Sequence, residues 1–260
     1  MSPLFSRSRK VQIPGLARDD EGGTTMTAAE TTSNVVPAKA GISAATICQA
    51  AALVLAYPEA ELLDRLDLIE TALIGGPAAE QFAPVLAHLR GETAPPTPNS
   101  STNSGTPMPA AASDPDELLS RLQAFHVQEF DLSRKHSLHL SYWTDGDTRR
   151  RGNVLSEVKQ VYRESGLLTD TGGELPDYLP MVLEFTAADP ERGFGLLQRF
   201  RASVELIRLG LSKDHLPHAG VLAAVCDLLP GPSPTTRAEV QARFGEVQPI
   251  ELVGLELVRS

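Results

Sequence analysis

The chain has 260 residues, in which 23 Lys and Arg stand against 33 Asp and Glu, giving a formal net charge of −10. That length allows one large domain or two small ones, and either can bury a sizeable core. The acidic balance argues against a general nucleic-acid binder, because such proteins neutralise phosphates with Lys and Arg, and it disfavours attachment to an anionic membrane.

The lack of a predicted targeting signal and the surroundings of the cysteines indicate a cytoplasmic protein. The longest apolar run, residues 50–57, is far shorter than the roughly 20 residues that span a bilayer. No apolar stretch follows the basic residues at 7–10, so a secretory signal is not predicted. Cys48 and Cys226 lie in Ala-rich, apolar surroundings that are typical of reduced, buried thiols.

The first half of the chain alternates between unpatterned and helical segments. Residues 1–41 lack an apolar period and are predicted to be a disordered tail. Apolar residues at helical spacing then begin a domain predicted over 42–230, with stripes at Ile47, Ala51, Val54 and Leu55 and at Leu62, Leu66, Ile69 and Leu73. Residues 92–114 are rich in Pro, Ser and Thr, which predicts a flexible linker inside this domain.

Four further stripes follow the linker, beginning at Leu118, Val154, Leu197 and Leu222. Residues 231–260 are predicted to form a short helix and an irregular tail. No stretch alternates apolar and polar residues as a half-buried strand does. The sequence therefore predicts an all-α protein, a single helical domain of about eight to ten helices.

Capping residues, prolines and glycines predict where several helices begin and end. Asp114-Pro115 and Asp189-Pro190 each pair a capping residue with a proline suited to a first turn. Glycines just past the ends of stripes are expected to close helices, and these are Gly91, Gly166 and Gly210.

Signatures of catalysis are not found in the sequence. It contains no Gly-rich phosphate loop, no CxxC pair and no recognisable pairing of a nucleophile with a base. His136 and His139, like His215 and His218, are three residues apart, but a metal site would need further ligands from elsewhere. Ordinary packing is the favoured interpretation, with Pro217 placing the second pair in a turn. A small metal-dependent enzyme using His136 and His139 is the weakest alternative.

Two segments stand out against this background. Arg149, Arg150 and Arg151 crowd the start of a predicted helix, where cations oppose the helix dipole. Either nearby carboxylates neutralise them or they form a recognition surface. In the segment 174–180, ELPDYLP, two prolines stiffen the start of another helix that Asp177 is expected to cap. Such a stiff, acidic segment would also suit the docking of a peptide, since little entropy is lost on binding.

Residues 136–152, HSLHLSYWTDGDTRRRG, and 174–180, ELPDYLP, resemble the NarJ family. These are the molybdenum-cofactor assembly chaperones of respiratory nitrate reductase, within the wider TorD/DmsD group of redox-enzyme maturation proteins. The resemblance covers about residues 42–230 without the linker. The chain has Tyr178 where the family usually has His.

The resemblance implies an all-helical, cytoplasmic chaperone of anaerobic respiration and nitrate assimilation that is not an enzyme. Such a protein binds the N-terminal segment of the apo alpha subunit of nitrate reductase. It holds this client for insertion of the molybdenum cofactor before membrane docking, without binding the cofactor stably itself. A helical adaptor or regulatory scaffold that binds another protein through the same groove is the alternative function.

The resemblance also implies a set of peptide-binding residues. Those within the family's signature are Glu174, Pro176, Asp177 and Tyr178, and neighbouring similarity adds Tyr142, Arg149 and Glu184. We expect Asp177 and Glu174 to attract a basic, amphipathic client helix, and Tyr178 with Leu179 to form part of an apolar floor. Residues 170–191 carry six acidic residues and no Lys or Arg, which places much of the net charge near this segment.

Overall fold

The computed structural model describes residues 42–93, 114–146, 149–167 and 173–245. The predicted tail at 1–41 and most of the predicted linker at 92–114 lie outside the described residues. Within these ranges the chain forms helices, and the only β pairing is an isolated antiparallel bridge between His139 and Tyr178. The predicted all-α class is confirmed.

The described ranges contain twelve α-helices, numbered in chain order: α1 Ala44–Leu55, α2 Ala60–Leu63, α3 Leu66–Leu73, α4 Pro77–Leu89, α5 Pro115–His126, α6 Leu140–Asp145, α7 Arg149–Glu164, α8 Leu179–Ala188, α9 Pro190–Arg199, α10 Arg201–Lys213, α11 Ala219–Asp227 and α12 Arg237–Phe244. A π-helical turn, Val127–Asp131, continues α5.

This number exceeds the eight to ten helices expected because two predicted stripes are each divided between two helices. The stripe from Leu62 to Leu73 breaks near Arg65, between α2 and α3. The long stripe from Leu197 to Leu211 breaks at Phe200, whose ψ of 22° separates α9 from α10. A side-chain period survives such a break, since the apolar residues still face the same core.

The core is built around α1 and α8, which make the most extensive helix pair. Both helices are rich in small and aliphatic residues. Seven of the ten residues of α8 are buried, so this helix lies inside the core. Helix α11 packs so closely on α4 that a Cβ added at Gly220 would lie 1.9 Å from the carbonyl oxygen of Gln81. The C-terminal helix α12 packs on α10 through the fully buried Val240.

The helix starts predicted at Asp114 and Asp189 and two of the three predicted helix ends are confirmed. Asp114 accepts a hydrogen bond from the Asp116 amide at the start of α5, and Asp189 accepts one from the Arg192 amide at the start of α9. Gly91 and Gly166 follow α4 and α7 with φ of +74° and +73°.

The predicted helix end at Gly210 is wrong, because Gly210 lies inside α10. A Cβ at this position would come within 2.9 Å of the carbonyl oxygen of Lys135. The glycine therefore allows the segment that carries His136 to pack closely against α10, rather than closing the helix.

A buried ionic network ties α10 to the segment that precedes α12. Glu205 is fully buried and receives hydrogen bonds from the guanidinium groups of Arg201, at 2.6 and 2.9 Å, and of Arg208, at 2.6 Å. The two arginines in turn bond to Ser233 and to the carbonyl of Pro234. The network thus fixes the chain after α11 against the core.

Cys48 and Cys226 are buried free thiols, as predicted, and burial raises the pKa of each to about 12. No helix in the described ranges combines the length and the apolar character needed to cross a bilayer.

Candidate functional site

Residues 138–140 and 177–179, which belong to the two segments that carry the family resemblance, lie side by side. The amide of Leu140 donates to the carbonyl of Asp177 at 3.0 Å, and the amide of Leu179 donates to the carbonyl of Leu138 at 2.8 Å. These two bonds form the isolated bridge in which His139 faces Tyr178. The start of α6 and the start of α8 are therefore joined into one unit, which we call the 139–178 junction.

The carboxylate of Asp177 caps a helix other than the one predicted. Helix α8 begins without a side-chain cap. Asp177 is fully buried and instead accepts hydrogen bonds from the amide of Ser141, at 2.8 Å, and from its hydroxyl, at 2.6 Å. Ser141 is the second residue of α6, where backbone amides have no partner within the helix. Asp177 thus stabilises the neighbouring helix start across the junction.

Two further groups approach the same carboxylate. The His139 Nδ1 lies 3.6 Å from one oxygen, and the Arg151 guanidinium lies 4.0 Å from the other while donating to the Ser141 hydroxyl at 3.1 Å. Burial by itself raises the pKa of Asp177, but His139 and Ser141 outweigh it and hold this pKa below its usual value. Asp177 therefore carries a negative charge beneath the surface at neutral pH.

The backbone of the segment 174–180 is also held by a hydrogen bond from α7. The buried hydroxyl of Tyr162, on α7, donates a 2.7 Å hydrogen bond to the carbonyl of Pro176. Both Pro176 and Tyr178 are buried, and the Tyr178 ring packs against His139 with centroids 5.4 Å apart. Leu179 is fully buried in the core, which removes it from the apolar floor expected at the surface.

The outer edge of the junction is acidic and partly apolar. Glu174 is half-buried and Leu175 is exposed. Across from them, burial raises the pKa of Asp131, as does the nearby charge of Glu174, while His139 opposes this effect. Leu132, next to Asp131, is 76% exposed. Asp131 thus experiences the charges of both Glu174 and His139, and Asp131 and Glu174 are each followed by an exposed leucine.

The remaining predicted residues have different positions. Tyr142 and Glu184 are half-buried, on α6 and α8. Only the backbone of Arg149 is described, as the first residue of α7. Of its neighbours, Arg150 lies 3.9 Å from Asp145, as the local-neutralisation interpretation expected, and Arg151 reaches into the junction. The assignment of these residues to peptide binding stays a prediction.

In the described part of the acidic stretch, residues 173–191, the carboxylates are divided between buried and exposed positions. Asp177 is buried, and Asp189 caps α9 and pairs with Arg192 at 3.0 Å. Much of this charge therefore serves local structure, and Glu174 is the residue of the signature that joins the exposed acidic edge.

Sequence reasoning did not identify Ser141, His139 or Arg151 as partners of Asp177. All three lie in the segment 136–152 that carried the family resemblance. Their relation to Asp177 depends on a contact across 36 residues, which no local pattern encodes.

His136 and His218 lie in the interior, among structural neighbours. His136 is buried between Glu129, at 3.3 Å, and Asp214, at 3.0 Å. The turn predicted around Pro217 is confirmed. Among the described residues no group of three or more His, Cys, Asp or Glu is placed to hold a metal ion.

A separate cluster of buried imidazoles lies between α4, α5 and the start of α11. His88 and His218 are 5.9 Å apart between ring centroids, and both pack on Phe125. Burial, followed by the charge of Arg121, lowers the pKa of His88 to about 4. Burial also lowers the pKa of His218, and so do His88 and His126. These imidazoles are neutral at pH 7 and belong to the core.

Comparison with known proteins gives one family match and several relatives. The family model of the nitrate reductase delta subunit matches residues 101–224. The nitrate reductase-like protein NarX of Mycobacterium tuberculosis is 34% identical over 181 residues, which are 69% of this chain and 24% of NarX. The probable nitrate reductase molybdenum cofactor assembly chaperone NarJ of Bacillus subtilis is 35% identical over 98 residues, 37% of this chain and 53% of that protein.

The chain thus spans about a quarter and about half of these two relatives. A solved structure of a putative redox enzyme maturation protein from Archaeoglobus fulgidus aligns with 76% of this chain and 98% of its own, at 16% identity and a TM-score of 0.48. The resemblance seen in residues 136–152 and 174–180 is confirmed by the family match and the relatives.

Proposed function

We propose that this chain, which belongs to the NarJ/delta-subunit family of nitrate reductase assembly proteins, is a system-specific chaperone that binds the apo alpha subunit of nitrate reductase. It acts in the cytoplasm, engages the N-terminal segment of the client and permits insertion of the molybdenum cofactor before membrane docking. It performs no catalysis of its own and does not keep the cofactor, which is cargo for the client.

One observation supports client binding at the outer edge of the 139–178 junction. The 139–178 junction unites the two segments with family resemblance, and its outer edge presents Asp131 and Glu174, each followed by an exposed leucine. Alternating carboxylates and apolar side chains suit a basic amphipathic helix, which lays its apolar face on the leucines and its cations against the acids.

In this proposal the predicted peptide-binding residues have two kinds of role. Glu174 lies at the accessible edge and is placed to contact the client directly. Asp177, Pro176 and Tyr178 lie beneath it and shape this edge, with Asp177 holding α6 through Ser141. Tyr142, Glu184 and Arg149 are the further candidates for client contact in the proposal.

A pull-down with the tagged full-length chain tests the function. The bait is mixed with lysates of cells that either make or cannot make the molybdenum cofactor. The proposal expects the alpha subunit to be recovered, and more of it from the cells without cofactor. Equal recovery of loaded and empty subunit would contradict a role before insertion, and recovery of an unrelated protein alone would favour the adaptor function instead.

A matched pair of variants locates the interaction. Glu174→Gln removes one charge at the acidic edge. Glu157→Gln removes one charge from α7, where Glu157 forms a surface ion pair with Arg199 of α9. We expect weaker recovery of the alpha subunit with Glu174→Gln at low salt and unchanged recovery with Glu157→Gln. If both variants behave like the parent chain, the charge of Glu174 has no part in client binding.

A further inference from the structure

The first 18 residues of the chain differ in charge from the rest of it. They contain no Asp or Glu and four basic residues, which are Arg7, Arg9, Lys10 and Arg18. Residues 19–260 contain 19 Lys and Arg against 33 Asp and Glu. Because opposite net charges attract each other, we expect the acidic domain to draw this segment to its surface.

The same 18 residues also carry large apolar side chains. These lie on both sides of the basic residues at 7–10, and they are Leu4, Phe5, Val11, Ile13 and Leu16. A segment that combines cations with apolar side chains has the chemistry of the basic, amphipathic client for which the proposed function requires a site. A surface that suits the client therefore suits this segment of the chain as well.

The outer edge of the 139–178 junction offers groups that match both features. It presents the half-buried Glu174 and the exposed Leu175, and no Lys or Arg occurs in residues 170–191 around them. The carbonyl of Leu175 accepts a 3.1 Å hydrogen bond from the amide of Tyr178, which is held in the bridge to His139. The edge thus stands on a fixed backbone, so little entropy of its own is lost when a peptide binds there.

The chain between this segment and the domain is long enough for such a contact. Residues 19–43 connect the segment to α1, which begins at Ala44. At about 3.3 Å per residue this connection can span up to roughly 80 Å, about twice the diameter of a domain of this size. Attachment to the same chain also gives the segment a local concentration on the order of millimolar.

We propose that residues 1–18 dock on the outer edge of the 139–178 junction of their own chain, with basic side chains at Glu174 and apolar side chains on Leu175, and that they thereby compete with the client. This inference rests on the proposed function and adds regulation to it, because the chain covers its own client site until a client displaces the segment. The apparent affinity for the client is then lowered by the fraction of time for which the edge is covered.

Energy transfer from the single tryptophan of the chain tests the docking directly. Trp143 lies on α6, where its indole donates a 2.9 Å hydrogen bond to the carbonyl of Ser137 at the junction. A thiol-reactive acceptor dye is attached to the full-length chain at Ser6→Cys. The native Cys48 and Cys226 are buried, and the pKa of each is raised to about 12, so the dye is directed to the introduced thiol.

We expect strong energy transfer at low salt and its loss at about 1 M salt, where charges are screened beyond about 3 Å. Replacement of Arg7, Arg9 and Lys10 by Ser should reduce the transfer. Glu174→Gln should also reduce it, whereas Glu157→Gln should not. Equal transfer with the neutralised segment and with the parent segment would overturn the docking. Transfer that grows with protein concentration would contradict it too, because the segment would then bind a second copy of the chain.

Calorimetric titration with a synthetic peptide of the alpha subunit's N-terminal segment tests the competition. The full-length chain with the neutralised segment should bind this peptide about tenfold more tightly than the parent chain, as expected when the edge is covered for about nine-tenths of the time. The control loses three exposed charges of the domain instead, through Arg65→Gln, Lys159→Gln and Arg163→Gln, and should bind like the parent chain.

The two measurements separate failure of this inference from failure of the proposed function. Equal peptide affinity of the parent and neutralised chains would overturn the competition and leave the proposed function intact. Absence of peptide binding by the neutralised chain would refute the proposed client, and with it the competition. The energy transfer would still decide whether residues 1–18 dock at the junction.

Discussion

Asp177 and Glu205 are two fully buried carboxylates that the chain treats in opposite ways. Glu205 is bound by two guanidinium groups at 2.6 Å, from Arg201 and Arg208. Asp177 is bound by the neutral Ser141, and its basic neighbours stand further off, with the His139 imidazole at 3.6 Å and the Arg151 guanidinium at 4.0 Å. Burial raises the pKa of both groups, yet their partners hold both values below the usual range.

The difference teaches what each carboxylate is for. The charge of Glu205 is compensated inside the core, and its network only connects parts of the fold. The charge of Asp177 is held by hydrogen bonds and directed toward His139, whose ring reaches the surface. The close partners of Asp177 are thus neutral hydrogen-bond donors, whereas those of Glu205 are two guanidinium groups.

The largest effect is expected from breaking the Glu205 network. Glu205→Gln leaves two guanidinium groups without their anion, and Arg201 is almost completely buried. Removal of one partner from such a network costs roughly 3–5 kcal/mol of unfolding free energy. Urea unfolding followed by circular dichroism measures this cost.

The control for this variant is Glu157→Gln, in which the ion pair with Arg199 is exposed on both sides. Its cost should stay within about 1 kcal/mol. Equal costs for the two variants would show that the Glu205 network contributes no more than a surface pair.

Acid titration separates the carboxylates from the buried imidazoles. The unfolded chain protonates His88 below about pH 6.5, but the folded chain resists until the pKa of about 4, so stability is lost as the pH falls between these values. The lowered pKa values of Asp177 and Glu205 act later, because their contribution is present above about pH 4 and disappears as the pH falls further.

His88→Leu tests this separation through unfolding midpoints at several pH values. Between about pH 7 and pH 4.5, the variant should lose less stability than the parent chain, by an amount on the order of 2 kcal/mol. Identical losses would mean that protonation of His88 does not contribute to the loss of stability in this pH range.

Substitution of Asp177 is expected to lower the free energy of unfolding less than substitution of Glu205. Asp177→Asn keeps an acceptor for Ser141 but loses the charge, and a hydrogen bond to a charged group contributes roughly 1.5–3 kcal/mol at most. We expect a smaller loss than for Glu205→Gln under the same urea assay. Asp67→Asn, at a 95% exposed side chain, is the matched control and should change stability by less than about 0.5 kcal/mol.

The smallest effect concerns the support beneath the signature. Tyr162→Phe removes the buried hydroxyl that donates to the Pro176 carbonyl and should cost about 1 kcal/mol. Tyr142→Phe, at a half-buried ring, should cost less in the same thermal melts. The reverse order would indicate that Pro176 is held chiefly by the bridge to residues 138–140.

Features determined by neighbouring residues could be predicted from the sequence. The helix starts at Asp114 and Asp189 follow from a cap and a proline in adjacent positions, and the all-α class follows from the spacing of apolar residues. Gly210 looked like a helix end for the same local reason. Its actual role depends on the carbonyl of Lys135, which comes from a distant segment.

The candidate site could be predicted only in outline, because its residues act across the junction. The family resemblance pointed to Asp177, and a local rule assigned it as the cap of α8. The structure pairs it with Ser141, 36 residues earlier, since the two segments meet in the bridge. No sequence pattern indicates which of two nearby helix starts a buried carboxylate will cap.

The most direct test of the central claim measures the molybdenum content of the alpha subunit. The subunit is purified from cells whose gene for this protein is deleted, with and without a plasmid that supplies the protein. The parent chain and Glu157→Gln should restore molybdenum to the alpha subunit, and Glu174→Gln should restore less, at equal levels of folded chaperone. Equal molybdenum content with and without this protein would contradict its assignment as a chaperone of cofactor insertion.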